Sequence, residues 1–186
     1  MRPPRKAKKL NSAELWEYAL RILHVRAYSA RELERKLRLR SESPAATAAV
    51  MTKLREYSLL DDKRFAEVYA QSRLESQGLG ASRVLRDLRA RSVPADVANV
   101  AVGDVYAETN EQELIQKYLE RKFRGKNLRE YLSEEKHLAS AFRRLRTAGF
   151  SSGASIKALR RFADKASELD DMDEDEGAEP SASPED

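Results

Sequence analysis

The chain has 186 residues, 35 Lys and Arg against 31 Asp and Glu, and no cysteine, which excludes a disulfide framework, thiolate chemistry and a cysteine zinc site and suits a reducing cytoplasm. Its net charge of +4 hides two opposite parts: residues 168–186, ELDDMDEDEGAEPSASPED, hold ten acidic residues and no Lys or Arg, so residues 1–167 carry +14. A body that basic is the footprint of a polyanionic partner, nucleic acid or an acidic protein surface, or else of a highly charged solvated helical surface.

Residues 1–11 open with MRPPRKAKK, a Pro pair in a basic cluster with little to bury and no apolar stretch behind it. They are expected to be a disordered basic arm and not a secretory signal. Ser12 is the expected cap of a first helix, with Leu15, Tyr18, Ala19, Ile22 and Leu23 on one face at 3.6-residue spacing. Ser29 is expected to cap a second, SARELERKLRLR, where Glu32 completes a capping box and Leu33 and Leu37 face inward. Pro44 fits the first turn of a third, PAATAAVMTKLREYSLL, with Val50, Leu54 and Tyr57 inward.

Asp61 and Asp62 follow in the stretch YSLLDDKRFAEVYAQSRL. Paired aspartates can be metal ligands, a proton-transfer pair or a helix start. No third ligand or base is marked in the sequence, whereas Phe65, Val68 and Tyr69 continue at the spacing of a buried helix face. One aspartate is therefore expected to cap a fourth helix, and the other to gain from the positive end of its dipole. The pattern then recurs. In GASRVLRDLRARSV, Val84 and Leu88 repeat the spacing of Leu33 and Leu37, and Pro94 opens PADVANVAVGDVYAE as Pro44 opens its helix. From Asn110, Leu114, Ile115, Tyr118 and Leu119 form a stripe; a loop around RGKNLREYL leads to EEKHLASAFRRLRTAGF, with Ala141 and Leu145 inward, and a last helix places Ile156, Leu159 and Phe162 inward. The expectation is an all-α chain of three tandem three-helix repeats, 12–60, 61–109 and 110–167, followed by a disordered acidic tail at 168–186.

YSARELERKL, REYSLLDDKRFAEVYAQSR and LGASRVLRDLRARSV, in that order, resemble the RecX family of bacterial recombinase regulators. Leu59, Leu60, Asp61, Asp62, Arg64, Phe65, Ala66, Ser72 and Arg73 stand where the family has them, and the match is strong over roughly residues 15–100. Ser92 occupies a position the family usually gives to Gly, and RSES stands where a Gly-containing turn is common. The resemblance implies an elongated, curved all-α array and a partner, the RecA recombinase as a filament on single-stranded DNA. It implies binding along the filament groove, restraint of strand exchange and ATP hydrolysis, and promotion of filament loss.

The candidate contacts are cationic. They are Arg83, Arg86, Arg89 and Arg91 in the second repeat, and Arg143, Arg144, Lys157 and Arg160 in the third, with Arg146 and Arg161 beside them. Guanidinium groups bond carboxylate or phosphate bidentately, so the filament protein and DNA of either strandedness, bound nonspecifically, are both receivers. Arg73 is read both as a contact and as a residue orienting a helix junction; Leu60, Asp61, Asp62, Phe65 and Ala66 are read as a structural motif. Trp16, Tyr18, Phe65 and Tyr69 lie at core spacing and are read as packing, and His24 and His137 as half-exposed helix residues. No phosphate loop, nucleophile elbow or paired-histidine metal motif is present in the sequence, so no enzyme activity, cofactor or metal is expected. No apolar run approaches the roughly 20 residues that span a bilayer; a cytoplasmic monomer is expected. The alternative is a helix-turn-helix in which the helix after Pro94 enters the DNA major groove, with Asn99 as its base reader.

Overall fold

Asn11, and not Ser12, caps the first helix. The computed structural model describes residues 9–169, so most of the expected basic arm and acidic tail lies outside the described residues. In α1 (Ser12–Val25) the Asn11 side chain accepts from the Glu14 N–H at 3.0 Å, and Glu14 accepts from the Asn11 N–H at 3.1 Å. Asn equals Ser as a cap, and the glutamate three residues on closes the box, which makes Ser12 the first helical residue. Ser29 caps α2 (Ala30–Arg40) through the Glu32 N–H at 3.2 Å. The expected box is only half made there, because the Glu32 carboxylate is drawn instead to Arg26 at 2.6 Å and Arg91 at 3.7 Å. Ser43 caps α3 (Pro44–Glu56), with Pro44 in its first turn. Asp61 caps α4 (Asp62–Gln77) through the Arg64 N–H at 3.0 Å.

Next come α5 (Ala81–Ala90) and α6 (Ala95–Tyr106), with Pro94 immediately before the latter. Asn110 caps α7 (Glu111–Lys122). Where a loop was expected the chain forms a short α8 (Leu128–Leu132), because Asn127 caps it through the Arg129 N–H at 3.2 Å. α9 (Glu135–Thr147), α10 (Ser152–Leu159) and a 3-10 turn (Asp164–Leu169) complete the described chain. No strand occurs among the described residues; a single bridge pairs Leu10 with Ser41, where the Leu10 N–H donates to the Arg40 carbonyl at 2.8 Å.

The chain divides into two compact units, Met1–Gln71 with Leu85–Val105, and Ser72–Val84 with Tyr106–Asp186. α4 and α5 give residues to each. The first unit is built on Leu15, Ala19, Leu33, Leu37, Val50, Met51 and Leu54, against which Tyr18, Ile22, Leu23 and Leu60 pack half-buried. The second is built on Ile115, Tyr118, Leu119, Leu138, Phe142, Leu145, Phe150, Ile156 and Leu159. Val84 and Leu88 are fully buried, as their spacing predicts.

One six-residue pattern ends three of the helices. It reads Leu, Arg, two variable residues, Ser or Gly, then an apolar residue: Leu54–Leu59 after α3, Leu88–Val93 after α5 and Leu145–Phe150 after α9. Ser58, Ser92 and Gly149 take positive φ, 54°, 62° and 92°. Their N–H groups donate to Arg55, Arg89 and Arg146 carbonyls, and the following N–H groups to the Leu54, Leu88 and Leu145 carbonyls. This is the Schellman closure, which satisfies carbonyls a helix end otherwise leaves open, and it sets the apolar sixth residue near the fully buried leucine. Gly149 is required twice over. Besides its φ, a Cβ there would lie 2.2 Å from the Arg83 nitrogen.

Candidate partner-binding surface

Phe65 and Ala66 show how the first unit fixes its polar residues. Ala66 is fully buried, and Phe65 stacks on Tyr69 with ring centroids 6.1 Å apart. The Arg91 guanidinium lies 5.0 Å from the Tyr69 centroid and 5.9 Å from that of Phe65, with Glu32 at 3.7 Å. Tyr69 donates to Asp87 at 3.3 Å. Arg26, 3.6 Å over the Tyr28 ring, shares Glu32, and its hydrogen bond to that carboxylate holds its pKa above the ordinary value. Arg91 is thus half-buried in a charge and aromatic cluster, and its carbonyl accepts from the Ser29 hydroxyl. Asp62 accepts from the Ala30 N–H at 2.7 Å. The two aspartates therefore cap two different helices, Asp61 its own and Asp62 the start of α2. The sequence reading had not assigned Asp62 this role.

In the second unit two arginines cap helix ends. Arg83 donates to the Thr147 carbonyl at 3.3 Å, and beside it the Gly80 N–H donates to Ala148 at 2.9 Å, which joins the first turn of α5 to the last turn of α9. Arg121 donates to Ser76 at 3.3 Å and also to Gln77, the last carbonyls of α4. Burial pushes the Tyr118 phenol up, opposed by the charges of Arg121, Arg144 and Arg83 around it. Tyr106 donates to the Leu79 carbonyl at 2.7 Å, and burial pushes its pKa up to about 12. His137 stacks on Tyr131 with centroids 4.0 Å apart and lies 3.6 Å from Glu134, while His24 is exposed.

The expected arginine set of α5 is thereby divided. Arg83 and Arg91 are half-buried; Arg86 and Arg89 are exposed. Arg73 is half-buried in α4, and its carbonyl accepts from the Leu79 N–H at 3.3 Å at the turn that leads towards α5. Arg143 and Arg144 on α9 are exposed, as are Lys157 on α10 and Arg160, which caps its C-terminal end. Lys157 and Arg160 share a helix face three residues apart, with Arg161 adjoining and bonded to Gln116 at 3.4 Å. Among the described residues Arg143, Arg144, Lys157 and Arg160 form no ion pair with a carboxylate. These four are long donors presented to solvent in one unit, which suits them to phosphate or carboxylate ligands. The outward face of α6 differs. It carries Asp96, Asn99, Val100, Gly103 and Asp104, and its two carboxylates oppose entry into a DNA groove.

Trp16 packs half-buried against the first core, as its spacing predicts, whereas Tyr57, expected inward, lies outside it; the two rings pair with centroids 5.8 Å apart, and Lys53 lies 4.2 Å over the indole. Tyr57 is 63% exposed because it is the last residue before the α3 closure. No group of three or more metal-ligating side chains occurs among the described residues.

The chain is similar to known proteins in sequence and in fold. A model described as the first three-helix domain of RecX matches residues 16–54, and one described as the second three-helix domain matches 61–102. Regulatory protein RecX of Halorhodospira halophila is 41% identical over 86 residues, 46% of this chain and 53% of the relative, so the match spans about half that protein's length. Regulatory protein RecX of Streptomyces coelicolor is 28% identical over 158 residues, 85% of this chain and 82% of the relative. The crystal structure of RecX from Lactobacillus salivarius shares the fold, with a TM-score of 0.59 at 18% identity over 81% of this chain and 96% of that one.

Proposed function

This chain belongs to the RecX family, and from that membership we propose that it binds RecA filaments on single-stranded DNA and restrains their strand exchange and ATP hydrolysis in DNA repair and recombination. The observation that carries the reading is the succession of the first and second RecX three-helix domains, with the LLDDKRFA segment joining them. The exposed cations Arg86, Arg89, Arg143, Arg144, Lys157 and Arg160 supply the chemistry: bidentate and point-charge donors for the carboxylates of a protein filament or the phosphates it encloses. On this reading the action is stoichiometric and takes place where the filament forms, in the cytoplasm.

Titrating the full chain into RecA assembled on single-stranded DNA, while following ATP hydrolysis and filament length, tests the reading. Hydrolysis is expected to fall as the ratio of chain to filament subunit rises. Unchanged hydrolysis and length under a large excess of folded protein overturns it. The exposed carboxylates Asp96 and Asp104 on α6 favour this reading over a helix-turn-helix that enters a DNA groove.

A further inference from the structure

Tyr118 is 8% exposed, and its ring meets Phe150 edge-on with centroids 5.6 Å apart. A buried tyrosine hydroxyl usually finds a hydrogen-bond partner. Among the described residues this one has none. Tyr118 instead lines a cleft of about 230 Å³, together with Ser76 and Gln77 at the end of α4, Leu79, and Arg121 and Lys122 at the end of α7. The Arg121 guanidinium lies 5.6 Å from the centre of the Tyr118 ring, and the Lys122 ammonium 5.7 Å. The charges of Arg144 and Arg83 act on the same phenol. All of these residues belong to the second unit. Arg121 uses part of its donor fork on the Ser76 and Gln77 carbonyls, which offsets the negative end of α4 there and leaves its other N–H groups for a ligand. Arg121, Lys122 and Arg144 form no ion pair with a carboxylate among the described residues. Burial raises the phenol's pKa, so at neutral pH the hydroxyl is an uncharged donor set among cations.

We propose that this cleft is a phosphate-binding site, in which Arg121 and Lys122 hold the anion, the Tyr118 hydroxyl donates to one of its oxygens, and Arg144 adds its charge from α9. Several cations around one neutral donor suit a ligand with more acceptor oxygens than a carboxylate offers, as phosphate has. The volume sets what enters. Pockets that enclose a drug-sized ligand measure roughly 300–1,000 Å³, so a cleft of about 230 Å³ takes the charged group and leaves the rest of the molecule outside. The Tyr118 ring is buried, so it offers no face for a base to stack on. Two sources present the same oxygens: the phosphodiesters of a nucleic-acid strand, and the free or terminal phosphate of a small molecule. The site does not depend on the filament reading, because its residues would bind phosphate whether or not a recombinase carries the strand.

The test uses the full chain, isotope-labelled at the Cζ of its seven tyrosines, so that the magnetic resonance signal missing from Tyr118→Phe is the one belonging to Tyr118. The probes are inorganic phosphate and an oligo-dT strand without terminal phosphates, each compared with sodium chloride at equal ionic strength. The Tyr118 signal is expected to shift and saturate with phosphate and to stay still with chloride. A shift with oligo-dT as well supports the site and assigns it to phosphodiesters; a shift with phosphate alone supports it and assigns it to free or terminal phosphate. A signal that moves with neither probe overturns the proposal. Affinities read from the phosphorus resonance give a second arm: Tyr118→Phe, Lys122→Gln and Arg144→Gln should each weaken phosphate binding about tenfold, the loss of one hydrogen bond or charge contact to an ionised group, with helix content by circular dichroism unchanged. Unaltered affinity in all three variants also overturns it. Neither probe contains a recombinase, so failure here leaves the filament reading standing, and filaments that ignore the chain leave this site standing.

Discussion

Replacing Asp61 with alanine removes the acceptor for the Arg64 N–H and should lower stability by about 1 kcal/mol, as loss of an N-cap does. Asp62→Ala should cost a similar amount for a different reason: the Ala30 N–H at the start of α2 loses its acceptor. Asp61→Asn should restore most of the loss, because asparagine caps as well; urea unfolding of the three variants reads these differences. Only the first role was legible locally. A cap bonds three residues ahead, whereas the partner of Asp62 lies 32 residues back, and nothing in a linear pattern marks it. The serines at positive φ offer an opposite test. A non-glycine residue there costs about 1–2 kcal/mol and glycine loses part of that back to chain entropy, so Ser58→Gly and Ser92→Gly should each gain about 0.5–1 kcal/mol. Gly149→Ala should cost about 3 kcal/mol, from its φ and from the clash with Arg83. Tyr106 adds a pH dependence. Its pKa rises from 10.0 to about 12 on folding, so stability is full below pH 10 and falls as pH rises towards 12. Tyr106→Phe should flatten that fall in unfolding midpoints measured from pH 9 to 11.5.

At the scale of helices, Arg83 and Arg121 act as C-terminal caps of α9 and α4, where a cation meets open carbonyls and the negative end of the dipole. Arg83→Gln and Arg121→Gln should each cost about 1 kcal/mol in chemical unfolding. Arg143→Gln and Arg144→Gln, on exposed side chains, should stay within about 0.5 kcal/mol and act on binding instead. A charge reversal that includes Arg83 would therefore confuse weakened binding with weakened folding. This separation was not legible in the sequence. The α5 periodicity correctly placed Val84 and Leu88 inward, but Arg83 meets a carbonyl 64 residues away and Arg91 meets Glu32 and two aromatic rings. Helix starts were more legible than helix ends. Ser29, Asp61 and Asn110 act through neighbours in the chain, while α8 was passed over because five residues are too few for a hydrophobic period, though Asn127 marked its start. The three Leu–Arg closures were also readable, but they stand 34 and 57 residues apart, out of step with equal repeats.

For the molecule as a whole, the net charge is uneven: residues 1–60 hold +8 and residues 110–167 hold +7 of the +14 carried by residues 1–167, and residues 61–109 hold −1. Residues 61–109 carry eight carboxylates against seven Lys and Arg, Asp96 and Asp104 on the outward face of α6 among them. A salt titration decides between a localised face and diffuse attraction to the body. Each phosphate neutralised on a single strand contributes about 0.7 to the slope of log affinity against log salt. Changing Arg143, Arg144, Lys157 and Arg160 to Gln should therefore reduce the slope for oligo-dT by up to about 3. Changing the equally exposed Arg21, Arg31, Arg35 and Arg55 to Gln removes the same charge from residues 12–60. At about 0.15 M salt the screening length is roughly 8 Å, so cations that do not touch the strand lose most of their pull, and this second variant should keep its slope. Equal loss in the two variants would mean that the strand samples the whole basic body, and the cations of α9 and α10 would have no privileged part in binding.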